Sequence, residues 1–534
     1  MYYLSYDIKG IQQFIFSVPR LRYIVGGSSM IIEFDEYVGK EFEECIFAAG
    51  GKGALECADE GRAQQVKGEL IKQAHNKNLD LRIGMEATFS DAMEQADELH
   101  PYCPEDLSGI PCSVSGRWPV GEKSKTDIHK GIEERGREGR DAFLKLLWEL
   151  RSEELQQAFG SYRLDFFRTA SPSEEKDSPE LLEEALVAQR ALGGRNRWAI
   201  VAMDGNDMGK QFHAMKDKNP TDDEFKKWVQ IMSQAVSTVT KDAFKKALSF
   251  AAVQWAHDLG DDVHKCSLPI RGKDGKRVIL PFRPLVLGGD DLIIICHSSY
   301  ARLFVDQLCK SFRDGSQKPF RGTQPEELWP ATKGKLEMSA GVLYTKDTFP
   351  LHMGIPYAES LLKSAKGEYR RLGITPAAID FDVVTDTLLD TPAERRYREL
   401  VFTDADLDTE VRLTQRPYLL ERHGDEPCIQ DLDKIKSQLS PEHVTNSARA
   451  RVLPNLRKAW GERFEYLTSI RKHNKVLWDL LYEVGSKKGT SWRDIKDKDK
   501  KVIGRRTSVP DALLLLEEER RLRNPTVSSE DSDG

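Results

Sequence analysis

LVLGGDDLIIIC, residues 285–296, is the stretch on which the fold of this 534-residue chain turns. Two apolar runs rich in β-branched residues flank two glycines and two aspartates, a pattern that predicts strand, tight turn, strand. Glycine admits a sharp turn and a close ligand because it carries no Cβ. Adjacent aspartates at such a tip repel one another unless a cation sits between them. An ordinary Gly-Asp hairpin has a similar composition, so the segment needs a partner before it implies chemistry.

That partner is DGNDMGK, 204–210, which follows the apolar strand pattern WAIVAM. If this strand neighbours the hairpin, Asp204 faces Asp290 and Asp291. The three carboxylates, with the Gly205 carbonyl, then suit Mg²⁺ or Mn²⁺, since Mg²⁺ takes a few carboxylate oxygens together with substrate phosphates. Paired ions of this kind activate an attacking hydroxyl and neutralise a leaving pyrophosphate. The residues therefore point to metal-dependent nucleotidyl transfer, with Gly288 and Gly289 letting the backbone approach the nucleotide. Asp207 reads two ways, as a further metal ligand or as the cap of the next helix. Lys366, in LLKSAKGEYRR, ends a helix packed through Ala358, Leu361, Leu362 and Ala365. It can reach a triphosphate; the alternative is a solvated lysine favoured by the helix dipole.

The order of elements around this centre occurs twice. Residues 2–8 alternate like a strand, 10–25 read as helix, 44–58 as two strands bent at Gly50-Gly51, 61–76 as helix and 81–88 as strand. From Trp198 the same order returns: strand, long helix 223–257, hairpin 282–297, helix 300–313, strand 336–345 and helix 356–371. Strand, helix, hairpin, helix, strand is the ferredoxin-like plan of palm domains. The expected fold class is α+β: two tandem ferredoxin-like palms with a helical linker and a helical C-terminal domain. The expected boundaries are 1–120 for a degenerate first palm, 121–195 for a charged helical bridge, 196–385 for the second palm, 386–523 for the helical domain and 524–534 for a disordered tail.

Length argues for several domains, because one hydrophobic core rarely serves 534 residues. The chain has no apolar run long enough for a bilayer and no signal-peptide pattern, so a cytoplasmic protein with no membrane partner is expected. Eight cysteines without a CxxC pair indicate neither a disulfide framework nor a zinc ribbon. Cys103 and Cys112, beside His100, make a poor zinc set. A net charge of −7 is the wrong sign for a protein that coats long nucleic acids, and suits a small nucleotide carried with a cation.

With these motifs in view, residues 1–385 resemble the CRISPR-associated palm polymerase/cyclase family, the large subunit of type III effector complexes, particularly its Cmr branch. LPFRPLVLGGDDLIIIC is similar to that family's metal-binding hairpin, DGNDMGK to its first acidic turn, and MSAGVLYTKDTFPLHMGIPYAESLLKSAKG to its strand and phosphate-contacting helix, which places Lys366 on the family's lysine. YDIKGIQQFIFSVPRLRYIVGGSSM resembles the first palm, where Ser28 or Ser29 would approach a nucleotide base. FAAGGKGAL resembles its degenerate hairpin, with the acidic pair gone. The resemblance implies ATP as the nucleoside triphosphate, a cyclic or linear oligoadenylate as product, a role in antiviral defence, and a CRISPR-type ribonucleoprotein or a downstream cyclic-nucleotide effector as partner. The family's Asp-Gly-Asp turn is Asp204-Gly205-Asn206-Asp207 here, so its second acid is displaced by one position. No His-Asp nuclease domain and no Cys-rich insert are recognisable, which suggests a stand-alone or accessory member. The alternative is a catalytically silent nucleotide-binding sensor or regulatory subunit.

Overall fold

The computed structural model describes residues 1–16, 21–77, 79–99, 143, 150, 153–166, 197–260, 263, 267–269, 275–346, 349–373, 375–384, 390–404, 408–458, 460–484, 487–496 and 500–519. The predicted zinc candidates His100, Cys103 and Cys112, the loop 171–180 and the tail 524–534 lie outside these residues.

The first palm runs β1 (Tyr2–Ile8), α1 (Ile11–Phe16), α2 (Leu21–Glu41), β2 (Cys45–Ala49), β3 (Lys52–Cys57), α3 (Glu60–Asn76), β4 (Leu81–Glu86) and α4 (Phe89–Glu98). Its sheet has the order β2-β3-β1-β4. The predicted helix over 10–25 is two helices, the second continuing to Glu41. Beyond it come α5 (Glu153–Phe159) and β5 (Arg163–Phe166). β5 pairs in parallel with a strand of the second half, so the described part of the expected helical bridge is not wholly helical. Phe159 and Phe166 are buried there, which is a packing signal invisible to charge composition.

The second half begins with β6 (Arg197–Gly205), α6 (Met208–Lys216) and α7 (Asp222–Leu259), the last opened by a Thr221/Glu224 capping box. Then follow β7 (Ser267–Pro269), β8 (Lys276–Leu280), β9 (Phe282–Gly288), β10 (Asp291–His297), α8 (Ser298–Ser316), β11 (Met338–Lys346), α9 (Leu351–Tyr369) and β12 (Ala378–Val383). β9-β10-β6-β11 repeats the order of the first sheet, and β12 extends it. β6 reads as continuously apolar because both its faces are covered. Ala199, Val201 and Met203 join a core with α7 and α8, while Trp198, Ile200 and Ala202 join one with α9 and the first palm.

One packing device is used twice. A Cβ on Gly84 of β4 would lie 2.1 Å from the Ala92 carbonyl of α4, and one on Gly341 of β11 would lie 2.1 Å from the Ala358 carbonyl of α9. In each palm a helix crosses the sheet at backbone contact, which only glycine permits. The two palms also exchange elements, with α2 packed on β9 and α7 packed on β2. Asp222 at the start of α7 accepts hydrogen bonds from Phe89 N and Ser90 N at the start of α4 (2.7 and 3.0 Å), joining the halves. The hairpin turns of the two palms meet: a Cβ on Gly50 would sit 3.7 Å from Gly289 Cα.

The C-terminal segment carries α10 (Pro392–Leu400), β13 (Val401–Asp404), β14 (Thr409–Arg412), β15 (Tyr418–Leu419), α11 (Ile429–Gln438), α12 (Asn446–Leu456), α13 (Trp460–His473), α14 (Lys475–Leu481), β16 (Glu483–Val484), β17 (Lys487–Lys488), β18 (Trp492–Lys496), β19 (Val502–Thr507) and α15 (Val509–Glu518). The helices expected of this domain are present, and β13-β14-β19-β18 add a sheet that the sequence does not announce. These strands are short and charged, and β14 finds β19 more than 80 residues away, so local periodicity does not reveal them. A buried ionic knot fastens this segment to the second palm. Arg416 donates to the Phe381 carbonyl (2.6 Å) and Asp382 (3.1 Å), and its Nε lies 3.0 Å from Asp511. Among the described residues no helix is long and apolar enough to cross a membrane.

Candidate active site

Strand register builds the site. β10 pairs antiparallel with β6, Leu292 opposite Met203, so one further residue places Asp291 opposite Asp204. Gly288 pairs with Asp291 across the β9-β10 hairpin, leaving Gly289 and Asp290 as the turn, with Gly289 at φ +60°. Asp290 is half-buried and packs over Gly205, where a Cβ would lie 2.8 Å from Asp290 Oδ2 and 3.1 Å from its Cβ. Gly205 is therefore the floor that lets Asp290 approach Asp204.

Electrostatics follow from that crowding. Burial first, then the charges of Asp204 and Asp291, push the Asp290 carboxyl well above the usual carboxylate range. Asp291 is pushed up to about 7 by burial and then by Asp204, while Lys366 pulls the other way. Asp291 remains exposed at the mouth of the site, which tempers the burial contribution and leaves like-charge repulsion as the firmer cause. Asp204 is within hydrogen-bonding reach of both aspartates. The arrangement demands a proton or a cation.

A cation from the protein already contacts one edge. Lys366 Nζ donates to Asp204 Oδ2 and to the Gly205 carbonyl, the latter at 2.7 Å. The lysine expected to meet a triphosphate thus bonds to two expected metal ligands. Among the described residues no group of three or more His, Cys, Asp or Glu side chains is arranged as a ready metal cage. The donor set nevertheless fits Mg²⁺ or Mn²⁺, because such ions use one or two carboxylates plus substrate phosphate rather than a closed protein cage, and Lys366 offsets only part of the repulsion among these carboxylates.

The rest of the acidic turn does other work. Asn206 is buried and its Nδ2 donates to the carbonyls of Thr375 and Pro376, both at 3.1 Å. Asp207 accepts from Thr375 N at 2.8 Å and Thr375 Oγ1 at 3.1 Å, and pairs with Lys210 at 2.7 Å. It stands at the start of α6 with φ 60° and makes no side-chain cap bond, so the capping role is corrected. Its oxygens hold the segment after α9, and the same bonds take them from the acidic cluster. Ser28 is buried and Ser29 half-buried in α2, the helix that packs on β9.

The first palm repeats the backbone but inverts the charge. Ala49 pairs with Lys52 and Lys52 pairs with Asp7, so Gly50, Gly51 and Lys52 occupy the register positions of Gly289, Asp290 and Asp291, and Asp7 that of Asp204. The glycine pairs do not align on each other, because the turn begins one residue later in the second palm's Gly-Gly. Lys9 and Lys52 lie 2.7 and 3.7 Å from Asp7. Asp35 secures the tip by accepting from Gly51 N and Tyr6 Oη, each at 2.8 Å.

Residues 197–375 match the family profile for Cas10/Cmr2, second palm domain. By this domain the chain is Cas10-like. No curated protein sequence matches the chain. Among solved structures, this Cas10-like fold is similar to the apo Csm1-Csm4 cassette, at 16% identity over 97% of this chain and 70% of that one, TM-score 0.40. It is similar also to that cassette in complex with pppApApA (13%, 97% and 69%, TM-score 0.43) and in complex with cA3 (17%, 70% and 54%, TM-score 0.34). In the last case the match spans only 54% of the other chain.

Glu359 is a residue that the motifs did not single out. Its Oε1 is buried without a hydrogen-bond partner, on α9 two turns before Lys366. The signal was available in the sequence: seven residues return to the same helix face.

Proposed function

We propose that this chain is a metal-dependent nucleotidyltransferase that joins ATP into cyclic or linear oligoadenylates as an antiviral signal. The observation that carries the reading is the convergence of Asp204, Asp290 and Asp291 at one strand end, held close by Gly205 and repelling one another. These three carboxylates and the Gly205 carbonyl would hold Mg²⁺ or Mn²⁺, which when bound supplies charge neutralisation at the phosphates and a more acidic attacking hydroxyl. Lys366 exchanges Asp204 for the triphosphate, and Gly288 and Gly289 give the phosphates access to backbone. The first palm, with Lys52 in the place of an aspartate, supports rather than catalyses, and the abutting turns of the two palms set two nucleotides side by side. Complexes of similar structures with cA3, cA4 and an ATP analogue support this reading, as does the family profile.

A second reading, a silent nucleotide-binding sensor in a CRISPR-type complex, is favoured by Asn206 and Asp207 being spent on Thr375. Incubation of the full chain with labelled nucleoside triphosphates in Mg²⁺ or Mn²⁺, with products resolved by mass spectrometry, separates the two. An oligonucleotide lost in Asp290→Ala/Asp291→Ala establishes the transferase. Nucleotide binding without product, with and without candidate RNA activators, supports the sensor.

A further inference from the structure

The turn that carries Asp290 must be held against the repulsion of Asp204 and Asp291, and Gly205 permits that approach without fixing it. On the first palm's side the neighbour of this turn is another turn. A Cβ on Gly50 would lie 3.7 Å from Gly289 Cα and 3.8 Å from Gly289 N, and one on Gly289 would lie 4.0 Å from Gly50 Cα, so backbone faces backbone with no side chain between. The first palm's turn is itself pinned at both backbone groups of Gly51. Gly51 N donates to Asp35 at 2.8 Å, and Ile8 N donates to the Gly51 carbonyl at 2.8 Å. Gly50 and Gly51 stand at φ +65° and +80°, and a Cβ on Gly51 would meet Ile11 Cδ1 at 2.6 Å, so the turn is packed as well as bonded.

A buried carboxylate is an unusual choice for holding one N–H. Asp35 is 7% exposed, burial pushes its carboxyl up to about 7, and among the described residues no cation pairs with it. Glu33 and Glu36, on the same helix, pair with Lys77 and Lys40. The bonds that Asp35 accepts come from Gly51 N and Tyr6 Oη, and burying such a group is unfavourable unless those bonds are made. Its helix, α2, also packs on β9, the first strand of the acidic hairpin. One helix therefore bears on both turns.

Resting on the metal-site reading above, we infer that Asp35 is a positioning residue for the acidic hairpin: by fixing the Gly50-Gly51 turn against Gly289, it holds Asp290 where it shares a divalent cation with Asp204. The effect passes through two backbone turns and not through contact with the ion. The first palm, whose own turn lacks the acidic pair, thus contributes rigidity to the site of the second.

The test is Mn²⁺ binding by the full chain, read by electron paramagnetic resonance as loss of the free-ion signal, with the binding left in Asp290→Ala/Asp291→Ala subtracted to isolate this site. Asp35→Ala should weaken that binding by about tenfold, the lower end for residues that orient metal ligands from outside, and pyrophosphate release from ATP should need correspondingly more Mn²⁺. Asp35→Asn, whose amide oxygen still accepts from Gly51 N, should stay within about threefold of wild type. Gly50→Ala forces a side chain into left-handed backbone at the turn itself, so it should weaken Mn²⁺ in the same direction and serves if Asp35→Ala does not fold. Val66→Ala, in the first palm's core, should lower the thermal transition and leave Mn²⁺ binding unchanged, which separates positioning from lost stability. Wild-type affinity in Asp35→Ala or in Gly50→Ala, or equal weakening in Val66→Ala, overturns the inference while the metal site stands. A wild type that binds no more Mn²⁺ than Asp290→Ala/Asp291→Ala overturns the metal reading, and this inference with it.

Discussion

Gly205→Ala adds one methyl group and should silence the site without unfolding the protein. The new Cβ would stand 2.8 Å from Asp290 Oδ2 and 3.1 Å from both Asp290 Cβ and Met208 Cγ. Relief to ordinary contact requires a shift of about half an ångström, and Asp290 is hemmed in by Asp204 and Asp291, so the carboxylate must swing off its place. Overpacking of this kind costs about 1–3 kcal/mol. Catalytic geometry is less forgiving, because sites need their groups within about 0.5 Å and a 1 Å misplacement costs about 10²-fold. Gly205→Ala should therefore lose about 10- to 100-fold in pyrophosphate release, with the midpoint of thermal unfolding lowered by only a few degrees. Pyrophosphate release and circular dichroism melts on the same preparation read both numbers. Full turnover in the variant would refute the argument that Gly205 positions Asp290, and collapse of the fold would show that the glycine is needed for the palm itself.

Asp291→Asn should raise thermal stability in EDTA more at pH 8 than at pH 5. The folded carboxyl is pushed up to about 7 against an ordinary value near 3.9, so its cost is absent below about pH 4, grows through pH 7 and is full above; an equal gain at both pH values would contradict the crowding. Asp207→Ala should cost about 1–3 kcal/mol by freeing Thr375 and lower turnover less than Asp204→Ala does, a ranking that steady-state rates would reverse if Asp207 were a metal ligand. Arg416→Met leaves Asp511 buried without its guanidinium and Asp382 with Arg395 and Tyr357 as remaining partners, so a loss of about 3–5 kcal/mol is expected, read as early proteolytic release of the C-terminal segment; an unchanged cleavage pattern would show that the knot is not what fastens it. Gly341→Ala drives a methyl to within 2.1 Å of the Ala358 carbonyl, and soluble, fully folded variant protein would contradict the backbone contact between α9 and β11.

The sequence by itself determined what depends on neighbours along the chain. WAIVAM and LVLGGDDLIIIC specify buried strands and a hairpin by apolar runs and glycine placement, and the repeated order of elements specifies two palms. Those patterns also nominated Asp204, Asp290 and Asp291 before any contact was known, since acids at the ends of buried strands have few structural reasons to be there. Tertiary structure decided everything set by partners far away in sequence. Asp207 reads as a metal ligand or a helix cap until Thr375 is found to hold it. Lys52 carries no signal in the sequence, and only strand register places this exposed lysine where Asp291 stands in the other palm. The sheet β13-β14-β19-β18 was missed because its strands are short, charged and joined across long separations, where periodicity carries no signal. Glu359 stood in an ordinary amphipathic helix, and only the packing of α1 against the second palm enclosed it beside Asp291, because enclosure is a property of two surfaces and a sequence motif describes one.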